Sequence, residues 1–424
     1  MSIEANGARA SAELETRFDL IQSTAGRIGL VGLAACVAGA VIAPAAFFPS
    51  YLAAFLLWTG VSFASIGLCL LHQLTGGSWA VPHRRSFEAA GSLIVLMALF
   101  FVPILLGLGY TYAWADKAVV DANHHVANKV HWLNPGSFTL RAVIYFAIAT
   151  AAAYIVNAWS RQQDDAADKA PSRRLNAVAG PATVFMFLTA SFASFDWGMS
   201  RDPDWYSTIY GALFIVGSIL STLALAAVFS IRNGKYEPIH SALTVGRLND
   251  LGNLMLAFTM LWAYMSFSQF LITWLGNLPE EVVYYQRRVF GIYGAIALGL
   301  IAFGFFAPFL ALLQRSHKRD ANWILPIASW ILVMRAVDLF WVIVPGFGKI
   351  PGPHGEEGDS FAWGSLLWYA AALAGVGGIW VAAFIRRLRT APLVPLRDPR
   401  VVEALERDRA HAHAHQQHTG GAVL

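Results

Sequence analysis

The chain has 424 residues, 57% hydrophobic and only 13% charged, with a mean hydropathy of +0.52. Soluble domains carry about 25% charged residues, so this composition excludes a soluble globular fold and points to a bilayer. The formal net charge is only +4, and the basic residues are not gathered into a patch, which excludes a nucleic-acid partner.

A membrane-crossing helix needs about 20 mostly apolar residues. Ten segments qualify: 27–48, 51–72, 88–110, 137–159, 176–198, 206–230, 251–276, 288–313, 322–345 and 361–385. They predict an all-α integral membrane protein, with residues 1–26 an N-terminal tail, 27–390 a ten-span domain and 391–424 a disordered C-terminal tail. About 25 mostly polar residues precede the first run, which is not the pattern of a cleavable signal. Cys36 and Cys69 both lie in apolar runs, so no disulfide framework or four-thiolate cluster is expected.

Polar residues inside these segments are the candidate functional groups, because each is costly there without a partner. In the second segment Thr59, Ser62, Ser65, Cys69 and His72 recur at spacings of three and four and share one helix face. That face reads either as close helix packing or as a hydroxyl-lined proton path, opened at its end by His72 and by Glu88 across the next loop. Arg141 and, one turn deeper, Tyr145 stand near the start of the fourth segment. The stretch FASFDWGMSRDPDWYSTIYG (192–211) joins the fifth and sixth. Asp202-Pro203 is a turn dipeptide, and Ser200, Asp202 or Asp204 is positioned to cap the helix that follows. Asp196 precedes the turn and faces either headgroups or the bundle interior, at the depth of Arg141. The seventh segment carries Tyr264, Ser268 and Gln269, and the ninth carries Arg335 and Asp338 three residues apart. The last pair reads as a packing bridge or as a proton-relay or headgroup site.

Lys and Arg are distributed unevenly. Counting Arg27 and Arg288, at the first positions of their segments, with the adjoining tail and loop, the two tails and the loops on their side hold 22 and the opposite loops 6, and only Arg141 and Arg335 fall deeper within segments. By the positive-inside rule both termini are predicted to be cytoplasmic. Trp79, Trp114, Trp132, Trp159, Trp197, Trp205, Trp274 and Trp323 lie near segment ends, as an aromatic belt does. Of the 12 histidines only His72 falls inside a segment, and at its end. Axial haem ligation from within the spans is thereby excluded. The HAHAHQQH stretch (411–418) reads as a solvated tail or as a metal-catching tract.

FASFDWGMSRDPDWYSTIYG, LWAYMSFSQFLITWLGNLPEE (261–281) and PLVPLRDPR (392–400) together resemble the second quinone-type membrane subunits (ActF) of alternative complex III. These belong to the wider polysulfide-reductase NrfD-like family, and the likeness runs from about residue 25 to 400. It implies two four-helix bundles, spans 2–5 and 6–9, with the first and last helices outside them. It also implies a haem-free subunit of a quinol:cytochrome c oxidoreductase in the bacterial cytoplasmic membrane. The expected partners are a pentahaem cytochrome c subunit, a large iron–sulfur subunit, a monohaem cytochrome subunit and a sister NrfD-like subunit, to which the quinol site is usually credited. No covalently bound or metal-ligated cofactor is expected here; a quinone or quinol is the small molecule implied.

No catalytic residue is assigned on this reading. The candidates for quinone contact or a proton pathway are Asp196, Arg141, Tyr145, Arg335, Asp338, His72, Glu88, Ser268 and Gln269. Two rival classes remain open. A secondary transporter also uses midplane polar groups, with broken helices in matched positions, but Pro44, Pro103, Pro181, Pro308 and Pro326 show no such pairing. A purely structural anchor for extramembrane redox subunits predicts that Asp196 and Asp338 tolerate neutral substitution.

Overall fold

Each of the ten predicted segments corresponds to one long helical span in the computed structural model, which describes residues 9–166, 168–346, 363–395, 397–404 and 406. The helices are α1 (Ala12–Ile42), α2 (Pro44–Thr75), α3 (Arg84–Leu106), α4 (Pro135–Asp165), α5 (Ala170–Arg201), α6 (Tyr210–Arg232), α7 (Val245–Gly276), α8 (Gly291–Leu313), α9 (Ala321–Ile343) and α10 (Trp363–Leu388). All ten are long and apolar enough to cross a membrane, and there is no strand among the described residues. The protein is an all-α, multi-pass membrane protein.

The architecture is built around α2. Its apolar window is 78% buried, against 22% for α1, and it packs on α3, α4, α5, α6, α9 and α10. One bundle is α2–α5; the other is α6–α9, where α7 and α9 pack on α6 and α8 packs on both α7 and α9. Helices α1 and α10 form a pair laid against α2. Arg389 beyond α10 pairs with Glu15 and Asp19 of α1, each at 2.7 Å, so the start of α1 and the end of α10 lie at one end of the bundle, the terminal end.

Between apolar helices in a bilayer there is little hydrophobic drive to associate, so close packing through small residues takes over. The α1–α10 pair is joined in this way. A Cβ on Gly32 would stand 2.4 Å from the backbone nitrogen of Gly375, and one on Gly378 would stand 2.5 Å from that of Gly29. The two backbones touch, and no side chain fits between them.

Several boundaries differ from those read in the sequence. Helix α1 begins at Ala12 rather than 27, because Ser11 caps it by accepting from Leu14 N at 3.3 Å and because Leu14 and Phe18 are fully buried. The third segment is interrupted at Leu93, Phe101 and Gly107. The eighth is preceded by a separate amphipathic helix, Pro279–Val289, and carries a π-helical stretch at Leu300–Phe306. The C-terminal tail is not disordered from 391. Leu393, Val394, Val401 and Ala404 are buried, the last three against Val81 and Ala242, so residues 393–395 and 397–404 form a strap across the terminal end. The apolar spacing of this strap is short and its companions are 150 to 320 positions away, which sequence periodicity does not register. The HAHAHQQH stretch lies outside the described residues.

The glycine contact yields a direct test. Gly32→Ala is expected to lower the thermal midpoint of the detergent-solubilised protein by the equivalent of about 1–3 kcal/mol, the usual cost of overpacking. Gly180→Ala, whose Cβ meets nothing within 4 Å, is expected to leave it unchanged or slightly raised. Equal midpoints for the two variants would contradict the close α1–α10 approach.

Candidate functional site

Buried charges gather in four places, and the 192–211 stretch contributes to two of them. At the end of α5, Trp197 is fully buried and packs on Phe55, Phe101, Tyr145 and Phe146, with ring centroids 5.1–6.0 Å away. Tyr112 donates to the Trp197 carbonyl at 2.8 Å. With Trp197 turned inward, the preceding Asp196 is directed toward α4. Arg141 grips its carboxylate with two bonds, Nε to Oδ2 at 2.6 Å and Nη2 to Oδ1 at 2.9 Å. Tyr145 donates to Oδ2 at 2.8 Å and the Trp132 indole to Oδ1 at 3.0 Å. The guanidinium lies 4.1 Å from the Trp132 ring centroid. The structure thus joins Arg141 and Asp196, which the sequence placed at one depth, and brings in Tyr145 from one turn deeper. Asp196, 2% exposed, accepts four hydrogen bonds from three side chains, an arrangement that holds helix against helix.

Asp202 does something the sequence reading did not foresee. None of Ser200, Asp202 or Asp204 caps α6, which starts at Tyr210 after Ile209 and has no side-chain cap. Asp202 instead accepts from Arg287 at 2.7 Å and from Arg288 at 2.8 Å. Arg288, 1% exposed along its side chain, also donates to the Val342 and Pro345 carbonyls at 2.9 and 3.2 Å. Its guanidinium lies 3.6 Å from the centre of the Tyr284 ring, which stacks on Trp205 at 3.8 Å. Neighbouring Arg201 donates to the Thr111 carbonyl at 2.9 Å and the Val344 carbonyl at 3.1 Å. The turn is therefore pinned to the Pro279–Val289 helix and to the end of α9. Asp204 accepts from Asn123 at 3.4 Å. Ser200 donates to the Asp196 carbonyl, and Ser207 donates to Gln269. Ser268 is half-buried and makes no side-chain hydrogen bond among the described residues.

The third cluster lies within α9. Arg335 donates to Asp338 at 2.7 Å, as their spacing predicts. The guanidinium crosses Gly217 of α6, where a Cβ would meet it at 2.0 Å, and lies 5.5 Å from the Trp262 ring centroid of α7. Arg335 Nε is buried without an acceptor. Tyr369 of α10 donates to the Ala336 carbonyl at 2.7 Å.

The fourth cluster, at the terminal end, holds His72 and Glu88. Glu88 accepts from Arg84 at 2.8 Å and from Arg85 and Ser160 at 2.6 Å each. Arg85 also pairs with Asp164. Arg84 donates to the Cys69 carbonyl at 2.7 Å and reaches His72 Nδ1 at 3.5 Å, while His72 Nε2 lies 3.2 Å from the Gly77 carbonyl. A guanidinium can only donate and a carbonyl can only accept, so these partners require the Nε2–H tautomer. Both residues are buried, His72 fully and Glu88 3% exposed. Neither opens toward solvent, which the proton-path alternative for the α2 stripe required. Along the α2 stripe, Ser65 donates back to the Val61 carbonyl at 2.7 Å and Ser62 to that of Trp58 at 3.2 Å, while Ser62 accepts from Trp380 at 3.0 Å. The Thr59 hydroxyl is buried without a partner.

Sequence reasoning missed Arg84, Arg85, Arg201, Arg287 and Arg288, treating them only as loop charge. The signal was present for the last three, since arginine is scarce on that side and the YYQRR run (284–288) sets two beside aromatics. Among the described residues no group of three or more His, Cys, Asp or Glu side chains is placed to hold a metal ion. No protein-family model matches the chain, and no curated protein matches it.

His83, between α2 and α3, is fully buried, with both ring nitrogens unpartnered. Burial first, and the Arg247 charge second, push its pKa from 6.5 down to about 3. A folded-state pKa below the unfolded value means that stability is full above about pH 6.5 and falls as the unfolded chain takes a proton that the native state refuses. Between pH 7 and pH 5 the wild type is expected to lose about 2 kcal/mol relative to His83→Leu. Thermal melts of both proteins at the two pH values check this; parallel pH dependences would refute it.

Proposed function

We propose that this chain is a haem-free integral subunit of a quinol:cytochrome c oxidoreductase of the alternative complex III type, with both termini in the bacterial cytoplasm. In this reading it builds the membrane arm beside a pentahaem cytochrome c subunit, an iron–sulfur subunit, a monohaem cytochrome subunit and a sister NrfD-like subunit, and it takes part in quinone binding or proton conduction. Support comes from the ten-helix, two-bundle fold, from the asymmetry of Lys and Arg between the two ends, and from the motifs that resemble the family.

The observation that carries the functional half is the Arg335–Asp338 pair. An ionisable pair far inside a membrane helix marks a functional site by default. Asp338 is bound by Arg335 through one oxygen, whereas Asp196 accepts four hydrogen bonds from three side chains. The buried, acceptor-free Nε of Arg335 suits a quinone carbonyl, and Asp338 suits a proton leaving or joining that head group. A bound quinone supplies the two-electron, two-proton couple; this chain's residues would hold it and exchange its protons.

A structural anchor is the second reading, favoured by the clamps on Asp196 and Asp202. A transporter receives less support. The helix interruptions fall in the second helix of the first bundle and the third of the second, and such unmatched breaks are not the pattern of a repeat-based carrier.

Two experiments test the proposal. The protein is expected to co-purify with c-type haem from its native membrane, and Asp338→Asn in the assembled complex is expected to cut turnover or proton release about tenfold or more. Asp196→Asn is expected instead to lower the yield of assembled complex while leaving its specific activity intact. Wild-type rate and proton yield for Asp338→Asn would leave only the anchor role. For orientation, a cysteine at Asp204 is expected to react with an impermeant thiol reagent from outside the cell and one at Arg174 not; reversed labelling would invert the topology.

A further inference from the structure

The terminal end carries a cavity of about 200 Å³ between the first turns of α5 and the C-terminal strap. Lys169 and Arg173 line it from α5 and Arg400 lines it from the strap, with Glu403 the one acid among its lining residues. Its wall is fixed from within. Gln73 of α2, 1% exposed, donates to the Ser172 carbonyl at 3.3 Å, to the Ser172 hydroxyl at 3.4 Å and to Asn176 Oδ1 at 3.1 Å. Arg400 donates to the same Asn176 oxygen at 2.7 Å, so its guanidinium is held at the cavity edge. The side chains of Lys169 and Arg173 make no ion pair or hydrogen bond among the described residues.

Three cations against one carboxylate leave a positive excess, and two of the three have donors to spare. With each liquid water occupying about 30 Å³, the volume suits several waters or one tetrahedral anion. Guanidinium forks match phosphate oxygens in geometry as well as charge. Basic pockets between spanning helices near the membrane surface suit anionic headgroups. We propose that this cavity binds a phosphate group, carried either by an anionic phospholipid or by free phosphate. The bound group would bridge α5 to the strap and hold residues 397–404 against the bundle. This proposal does not depend on the respiratory reading.

The test uses the full chain in detergent, titrated with phosphatidylglycerol or phosphatidylcholine and followed by native mass spectrometry, and separately with radiolabelled inorganic phosphate. Wild type is expected to prefer phosphatidylglycerol to phosphatidylcholine, or to bind phosphate. The Arg173→Gln/Arg400→Gln double variant is expected to bind roughly thirtyfold more weakly, the effect of removing two cations facing an anionic headgroup. Arg173→Gln alone breaks no bond of the fold and is expected to weaken binding roughly fivefold, which keeps the test valid if the double variant misfolds. A lipid preference lost in the variants assigns the headgroup; phosphate binding lost without a lipid preference assigns the free anion. Unchanged affinity of Arg173→Gln for both probes overturns the proposal.

Discussion

Moving an ion out of water into a helical bundle costs several kcal/mol even after relaxation, and an opposite charge offsets this only when geometry and further hydrogen bonds are good. Three of the four charge clusters in this protein meet that condition through partners on other elements, and in doing so determine which elements must touch. Asp196 needs Arg141, so α5 must lie along α4. Asp202 needs Arg287 and Arg288, so the turn after α5 must meet the helix before α8, and Arg288 carries the link on to the end of α9. Glu88 needs Arg84, Arg85 and Ser160, which fastens α3 to α4. Three of the four clusters are therefore clasps between elements. The fourth, Arg335–Asp338, closes within one helix and fastens nothing by its ion pair.

The rest of the fold follows from how little polarity α2 shows its neighbours. Ser62 and Ser65 return their hydrogens to carbonyls of their own helix, while Ser50 reaches both its own helix and the Ser365 carbonyl of α10, leaving a small-residue surface on which other helices can lie. Thr222 of α6 reaches the Val61 carbonyl at 3.3 Å, and a Cβ on Gly60 would meet the Ser218 hydroxyl at 2.4 Å. Where α2 needs bulk it uses Trp58, which stacks on Trp380 of α10 at 5.1 Å. The same economy of side chain lets α10 approach α1 through Gly375 and Gly378. Two four-helix bundles can share this one central helix because it is narrow on the faces they use.

How far all this could be read from sequence depends on whether the determining contact is local. The ten spans were legible, since 20 apolar residues in a row announce themselves, and so was the Arg335–Asp338 pair at three residues' separation. Arg141 and Asp196 could be matched because each lies near the same end of its helix, although the Tyr145 and Trp132 bonds could not be foreseen. What failed were contacts made across long separations without periodicity. Asp202 looked like a helix cap because Asp before a helix usually is one, yet its partners lie 85 and 86 residues further on. The strap at 393–395 and 397–404 looked like a tail because its apolar residues are few, and only Val81 and Ala242 in three dimensions make them a core. Glu88 looked open because a loop was read before it; helix α3 instead begins at Arg84, and Arg84 and Arg85 in its first turn pair with Glu88 and bury it.

The two bundles are thus unequal in a way that bears on their use. In the first, Asp196 takes its donors from α4 and the segment before it, and Glu88 takes one from Ser160 of α4 beside two from its own helix, so neither carboxylate changes partners without disturbing its contact with α4. In the second, Asp338 and Arg335 depend on each other, and the wall facing the guanidinium is the bare backbone at Gly217 together with the Trp262 ring. Arg335 keeps a buried donor with no acceptor, as do Arg84, Arg85, Arg201 and Arg288 in the other clusters, and each such donor costs stability. A bundle built only to anchor partners would gain from filling that donor, or from replacing the pair with apolar side chains of similar volume. Three of the four clusters thus join elements through their ion pairs, whereas the Arg335–Asp338 pair joins residues of one helix and meets its neighbours through the backbone at Gly217 and the Trp262 ring.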